Sequence, residues 1–443
     1  MDRDHKVCII GMGYVGLTLA VAMAKKGFIV HGVEIDKQKL ESMQNGTPFF
    51  YETDLESNLR SVINRGLLTF SREIPLKPYG VYIITIGTPL MKDTKVPRFD
   101  MIEKVSSEIS KVMNPNSIVI LRSTVAVGTT REIVIPILEQ KNRNPQVAFC
   151  SERTLEGKAL EEILLLPQVI GAIDERSLRR ASVIFHEITP AIVEVSSIET
   201  AEIIKLLDNV YRDTQFALSN EISEVCEYLG INAYETIKAA NLGYQRTNIA
   251  LPGYVGGPCL EKDPYILEYS LRNYEHKPRL IMYSRTLHEN LQARIANRIL
   301  NWTLGNDLDP KKIKVVLLGM AFKGIPETDD LRGAPSISMI KELRDRGFAN
   351  LYGHDYLVSN RDIAVLKIKP VHITNAFSNT SIVIFMNNNP NYKKLNLVDE
   401  IKKMLKPAFF MDSWNMFDSE QISLSKEICY GSIGNKTIRE RNL

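Results

Sequence analysis

The stretch from Lys6 to Glu34 constrains the fold of this chain more than any other. Lys6-Val7-Cys8-Ile9-Ile10 is a short apolar run of the kind that forms a buried strand. It passes directly into Gly11-Met12-Gly13-Tyr14-Val15-Gly16, and then into a helical apolar pattern through Leu17, Ala20, Ala22 and Met23 that stops at Gly27. A dinucleotide-binding unit needs this order. The first glycine permits a tight turn, the second admits a pyrophosphate, the third lets the helix pack on the strand, and the helix N-terminus faces the phosphates. A second strand, Ile29–Val33, ends at Glu34. A carboxylate about twenty residues beyond the glycines accepts from the ribose hydroxyls and repels a 2′-phosphate. The expected cofactor is therefore NAD, held by Gly11, Gly13, Tyr14, Val15, Gly16 and Glu34.

The alternation of strand and helix continues. Residues 81–86 form a strand pattern ending in Gly87-Thr88-Pro89, residues 101–113 a helix, and residues 117–121 a strand ending in Arg122-Ser123-Thr124. Open α/β sheets bind ligands at strand C-termini, so Thr88 and Thr124 should line the cleft, although such turns also arise simply as helix caps. A further strand at 147–150 leads into Ser151-Glu152-Arg153-Thr154-Leu155-Glu156-Gly157, whose two carboxylates surface charge explains equally well. Residues 198–230 carry one long helical pattern that Gly230 stops. On it Lys205 and Asn209 stand four apart and share a face, an arrangement that is more often solvated decoration. The helix has more apolar positions than one domain needs to cover, so a twofold homodimer or higher homo-oligomer is expected.

Within Pro252-Gly253-Tyr254-Val255-Gly256-Gly257-Pro258-Cys259-Leu260-Glu261-Lys262-Asp263, one thiol lies between a glycine turn and a lysine–aspartate pair. A thiol attacks as its thiolate, so a nearby cation favours ionisation, while paired glycines leave room for substrate. The competing explanation is a buried structural cysteine. Beyond Asp309-Pro310 a second α/β unit begins with Lys314–Leu318 and Gly319 but lacks a full GxGxxG. Lys323 and Arg332 in its loops suit a diphosphate. The division expected is a cofactor domain at 1–197, a helical dimerisation domain at 198–308 carrying the cysteine loop, and a second Rossmann-like domain at 309–443. Residues 431–443 are expected to fray.

Composition removes other classes. The chain has 443 residues, 44% hydrophobic and 24% charged, with a formal charge of +3 and no segregated basic block, so nucleic acid is a poor partner. Its five cysteines are scattered with no CxxC pair, which indicates neither a disulfide framework nor a metal site. No apolar run approaches the ~20 residues of a membrane helix, and the chain enters a strand without a leader pattern. A reducing, cytoplasmic setting is expected.

Taken together and in order, these segments resemble the UDP-glucose/GDP-mannose dehydrogenase family, and within it the UDP-N-acetylhexosamine (GlcNAc or ManNAc) 6-dehydrogenases. The resemblance rests on Gly11-Met12-Gly13-Tyr14-Val15-Gly16-Leu17, Gly87-Thr88-Pro89, Ser123-Thr124-Val125, Glu152-Arg153-Thr154-Leu155-Glu156-Gly157, Lys205 with Asn209, Gly256-Gly257-Pro258-Cys259 with Lys262-Asp263, and Ala321-Phe322-Lys323 followed by Thr328-Asp329-Asp330-Leu331-Arg332. It implies two Rossmann-like parallel-sheet domains joined by a long central helix that carries a dimer contact. It also implies a four-electron oxidation of a UDP-sugar at C6, with the aldehyde captured by Cys259.

The family assigns roles residue by residue. Lys205 and Asn209 would stabilise oxyanion charge, Thr124 and Glu152 would hold a water, and Asp263 would orient or activate it. Lys262 would serve the cofactor, and Arg153, Glu156, Gly256, Lys323 and Arg332 the substrate. Arg246 would reach a neighbouring subunit's sugar or phosphate. The sequence departs from the family at Pro258, where histidine or serine is usual, at Val125-Ala126-Val127-Gly128, and at Asn387-Asn388-Asn389. Those positions bear on which sugar is accepted. The alternatives are a UDP-glucose 6-dehydrogenase, a two-electron 3-hydroxyacid or 6-phosphogluconate-type dehydrogenase that needs no thiol, and a nonenzymatic nucleotide sensor.

Overall fold

A computed structural model describes residues 3–418, 422 and 427–435. The chain divides into two compact units, one made of Met1–Asn209 with Lys262–Lys277, the other of Val210–Glu261 with Pro278–Leu443.

The first unit is built on eight strands: β1 (Lys6–Ile10), β2 (Ile29–Val33), β3 (Leu68–Ser71), β4 (Val81–Ile84), β5 (Ile118–Leu121), β6 (Gln146–Cys150), β7 (Gln168–Ala172) and β8 (Ile192–Glu194). Their order is β3-β2-β1-β4-β5-β6-β7-β8, with every pair parallel except β6 with β7. The central strands are continuous apolar runs because helices cover both faces, and the period of two divides them between two cores. Val7, Ile9, Ile83 and Ile120 face one core, while Cys8, Ile10, Tyr82, Ile84, Val119 and Leu121 face the other. Strand order reverses between β1 and β4, so the loops after β1, β4, β5 and β6 open at one edge, and these carry Gly11 to Gly16, Thr88, Thr124 and Glu152.

The helix Ile198–Leu229 runs for 32 residues, about 48 Å at the usual rise, from the first unit into the second. In the second unit come helices Ala233–Asn241 and Arg279–Gly305, then strands β9 (Lys314–Leu318), β10 (Asn350–His354), β11 (Lys369–Pro370), β12 (Ile382–Phe385), β13 (Ala408–Asp412) and β14 (Ile428–Ser432). The order β11-β10-β9-β12-β13-β14 is wholly parallel and repeats the doubly wound plan. The expected architecture of two Rossmann-like sheets with a long helix between them is therefore present.

Fraying from residue 431 is not. Gly431 and Ser432 pair with Met411 and Asp412 and are buried, because the polar look of this segment hides the edge strand Ile428–Ser432. Residues 436–443 of that expectation lie outside the described residues. No described helix is long and apolar enough to cross a membrane.

Candidate active site

The turn after β1 is tight. Gly11 has φ +95°, and a Cβ on Gly16 would stand 1.9 Å from the Gly11 carbonyl oxygen, so the helix Tyr14–Lys25 packs against the strand only without a side chain there. Around Gly13, by contrast, no atom lies within 4 Å of an added Cβ, and Gly13 caps the helix without any side-chain acceptor for the first N–H groups. That open, uncapped helix N-terminus fits a pyrophosphate. Glu34, half-buried at the end of β2, accepts from the Asp36 N–H at 3.0 Å, which orients its carboxylate. The residues present thus fit NAD.

The Tyr14 side chain joins the glycine turn to two other segments. Its hydroxyl donates to Glu52 and accepts the Gly157 N–H at 2.9 Å. Glu52 also accepts from Gly157 at 2.7 Å and Ala159 at 2.9 Å. Burial raises the Glu52 carboxyl above its usual range, against the pull of these hydrogen bonds. Glu52 thereby ties the glycine turn to the segment holding Glu152 and Glu156. Sequence reasoning missed it, since 105 residues separate it from Gly157.

The central helix organises the rest of this unit. Spacings of three and four place Glu202, Lys205 and Asn209 along one face. Lys205 is buried, and its ammonium has no hydrogen-bond or ion-pair partner among the described residues; its charge acts on Glu152. One turn on, the Asn209 amide donates to Asp263 at 2.5 Å, and Lys262 donates to the other carboxylate oxygen of Asp263 at 2.8 Å. Asp263 is fully buried at the start of the helix Asp263–Ser270. The neighbouring Asp208 accepts from Arg153 at 2.7 Å, so the helix also holds the segment after β6.

Glu152 is fixed by Arg122, a residue with no sequence signal of its own. The Arg122 guanidinium at the end of β5 donates to Glu152 at 2.6 Å, to Gln168 at 2.7 Å and to the Cys150 carbonyl at 3.0 Å, and lies 5.4 Å from the Phe185 ring centroid. Burial pushes the Glu152 carboxyl up, but Arg122, the Thr154 hydrogen bonds and Lys205 outweigh it and hold the group below the usual carboxylate range. Glu152 also accepts the N–H groups of Arg153 and Thr154 at 2.7 Å each. On the adjacent loop, the Thr88 hydroxyl donates to the Thr124 carbonyl at 2.6 Å.

The second unit holds the remaining candidates. Cys259 is exposed, whereas Cys8, Cys150, Cys226 and Cys429 are buried, and none is in a disulfide. Burial pushes the Cys8 and Cys150 thiols up to about 12, which leaves them inert. The turn before Cys259 needs its glycines: Gly257 has φ +100° and its missing Cβ would meet the Phe322 ring at 2.6 Å, while Gly256 lies against Gly333 and Pro335. The Gly257 N–H donates to the Gly333 carbonyl at 2.8 Å. The cysteine loop is thus seated on the loops that carry Lys323 and Arg332. The Lys323 ammonium lies 5.3 Å from the Phe322 ring centroid, and the Arg332 fork closes on Asp330 at 2.5–3.0 Å. Asn387 and Asn388 fasten the segment around Lys323, Asn387 by donating to the Ala321 carbonyl at 3.2 Å and Asn388 by accepting the Gly324 N–H at 3.2 Å. Arg246 is exposed, and its described contacts are with Tyr244.

Three segments match one family: the UDP-glucose/GDP-mannose dehydrogenase family NAD binding domain over residues 5–189, its central domain over 199–290 and its UDP binding domain over 316–419. The chain is 31% identical over 355 residues to a UDP-N-acetyl-D-mannosamine dehydrogenase of Campylobacter jejuni, covering 77% of this chain and 84% of that protein. It is 29% identical over 427 residues to the enzyme of that name from Methanocaldococcus jannaschii, covering 94% and 93%. The solved structure of UDP-D-ManNAc dehydrogenase from Pyrococcus horikoshii matches with a TM-score of 0.87 at 26% identity, over 97% of this chain and 99% of that one.

Proposed function

Because the chain belongs to the UDP-glucose/GDP-mannose dehydrogenase family, as an NAD-dependent nucleotide-sugar dehydrogenase with a UDP binding domain, we propose that it oxidises UDP-N-acetylmannosamine at C6 to the uronate through a thioester on Cys259. One observation carries this reading: Lys205 is a buried ammonium without a described partner, its charge acting on the Glu152 carboxylate, one helical turn before the Asn209 that holds Asp263. A cation kept in that state suits developing negative charge on oxygen.

The steps follow from these residue types. NAD bound at the glycine turn supplies the hydride acceptor, one molecule for each oxidation. The C6 alcohol loses a hydride and its hydroxyl proton to become the aldehyde, and Lys205 stabilises the charge on that oxygen with Asn209 beside it. The Cys259 thiolate adds to the carbonyl carbon, the oxygen takes up a proton, and a thiohemiacetal results. Loss of a second hydride and of that proton gives the thioester. Water ordered by Thr124 and Glu152 gives its proton to Asp263 and opens the carbon–sulfur bond, which releases the carboxylate and restores the thiol. Glu156 and Gly256 would border the hexose, with Arg153 holding the Glu152 loop through Asp208. Lys323 and Arg332 would take the diphosphate.

We propose further that residues 198–308 form the pairing element of a homodimer, with Arg246 reaching the partner's substrate. In support, Leu207, Tyr211, Leu218, Val225 and Tyr228 repeat along the central helix at helical spacing and are all exposed. The substrate assignment is tested by NADH release from UDP-N-acetylmannosamine, UDP-N-acetylglucosamine and UDP-glucose. The first should give the highest kcat/KM; equal or better use of UDP-glucose would overturn it.

A further inference from the structure

The turn that begins at Thr124 is anchored from a side chain without any assigned role. Glu202 is buried on the central helix, one turn before Lys205. One carboxylate oxygen accepts the Gly128 N–H at 2.6 Å, and the other accepts both the Thr130 N–H at 2.9 Å and its hydroxyl at 2.6 Å. The same turn is held at Val127 by the Ser270 hydroxyl at 3.0 Å and at Thr124 by Thr88 at 2.6 Å. Three donors from one turn converge on this buried carboxylate, so its contacts are with the protein's own backbone and Thr130. Its position, three residues from Lys205, leaves it a mechanical role.

We propose that Glu202 is a positioning residue: ionised, it locks residues 124–130 to the central helix and so fixes Thr124 relative to Lys205. This rests on the reading that Thr124 and Lys205 serve the oxidation. The Gly128 and Thr130 N–H groups can only donate, so protonating the carboxyl removes acceptor capacity and weakens or reverses at least one of its three contacts. The charged groups around it are Glu199 and Lys205 on its own helix, Arg131 from the turn, and the Glu132–Arg272 pair. Arg131 is committed to Glu199 at 2.5 Å, and Arg272 to Glu132 at 2.8 Å. Burial, opposed by the hydrogen bonds, raises the Glu202 carboxyl to about 7.

The signs of the two consequences are opposite. A carboxyl whose folded pKa is raised contributes stability that is present below its unfolded value, about 4.3, and lost as pH rises through about 7. Positioning needs the ionised form, so activity gains over the range where stability falls. A merely structural contact would move both together.

The test compares wild type, Glu202→Gln and Thr130→Val with NAD and UDP-N-acetylmannosamine between about pH 5.5 and 8.5, alongside melting temperatures. Glu202→Gln mimics the protonated state, and kcat at about pH 8 should fall roughly tenfold, the worth of one lost hydrogen bond. Its KM for NAD should stay near wild type. The kcat ratio should approach one near pH 6, while the melting temperature of wild type falls relative to that of Glu202→Gln from pH 6 to 8. Thr130→Val removes one stabilising donor and should shift the acidic limb of wild type to higher pH. Wild-type kcat in Glu202→Gln, or a kcat ratio constant across pH, overturns the proposal. Lys205→Met separates this from failure of the parent reading: loss of turnover there with an unaffected Glu202→Gln rejects the positioning role alone, and turnover retained by Lys205→Met rejects both.

Discussion

Replacing Arg122 by methionine tests how this protein keeps Glu152 charged. Methionine keeps the unbranched apolar stem but is shorter than arginine, and it removes the guanidinium over Phe185 and its donors to Glu152, Gln168 and two carbonyls. The two side chains of this pair are 3% and 8% exposed, so solvent does not replace what is lost. Removing one partner of such a pair costs about 3–5 kcal/mol, because a buried charge is left behind. Glu152 would keep the N–H groups of Arg153 and Thr154 and the charge of Lys205, which puts the expected cost near the lower bound, about 3 kcal/mol. For a unit of this size that is a fall of about 6–12 °C in melting temperature.

The pH dependence carries a sign. In wild type the Glu152 carboxyl lies below its usual range, so its contribution is present above the unfolded pKa of about 4.3 and is lost as pH falls through the folded value. In the variant, burial acts with less opposition and raises the group, so ionising it now costs stability. The deficit of Arg122→Met should therefore be largest near pH 8 and shrink toward pH 5. Thermal melts by far-UV circular dichroism at the two pH values, repeated in a Glu152→Gln background where the deficit should drop by about half or more, measure this directly. A variant that melts within about 2 °C of wild type near pH 8, or a deficit equal at both pH values, would refute the reasoning.

Three further outcomes follow from the geometry. NAD should exceed NADP by about 100-fold in kcat/KM, on the order of 2.7 kcal/mol, because Glu34 faces a 2′-phosphate with like charge; comparable values for the two would remove Glu34 from ribose recognition. Gly16→Ala should abolish NAD binding by fluorescence titration and lower the melting temperature, since the new methyl would meet backbone at 1.9 Å where nothing flexible can yield; normal NAD affinity would show that the turn adapts. Sedimentation at micromolar concentration should give a dimer for wild type and a monomer for Leu218→Glu, and a monomeric wild type would dismiss the exposed stripe on the central helix as an interface.

The sheets were legible because their signals are local. Strands such as β4 and β12 are uninterrupted apolar runs, Gly11 to Gly16 sit where backbone must pass backbone, and the helical period put Lys205 and Asn209 on one face, although their role came only from the family resemblance. What escaped was long-range. Arg122 and Glu52 carry no local signal, since their partners Glu152 and Gly157 lie 30 and 105 residues away and meet them only once β1, β5 and β6 are assembled. Glu202 had a signal that went unused, its offset of three from Lys205. The edge strand Ile428–Ser432 was masked by its glycine and serine, although pairing with β13 buries all five residues.

The most direct test of the proposed chemistry is the number of NADH released per sugar consumed, measured for wild type and Cys259→Ala with UDP-N-acetylmannosamine. Covalent capture of the aldehyde predicts about two for wild type and little uronate from the alanine variant. It also predicts that Cys259→Ser holds a covalent sugar adduct visible in the intact-protein mass spectrum. One NADH per sugar in wild type, or undiminished uronate at about two NADH from Cys259→Ala, would contradict the thioester route.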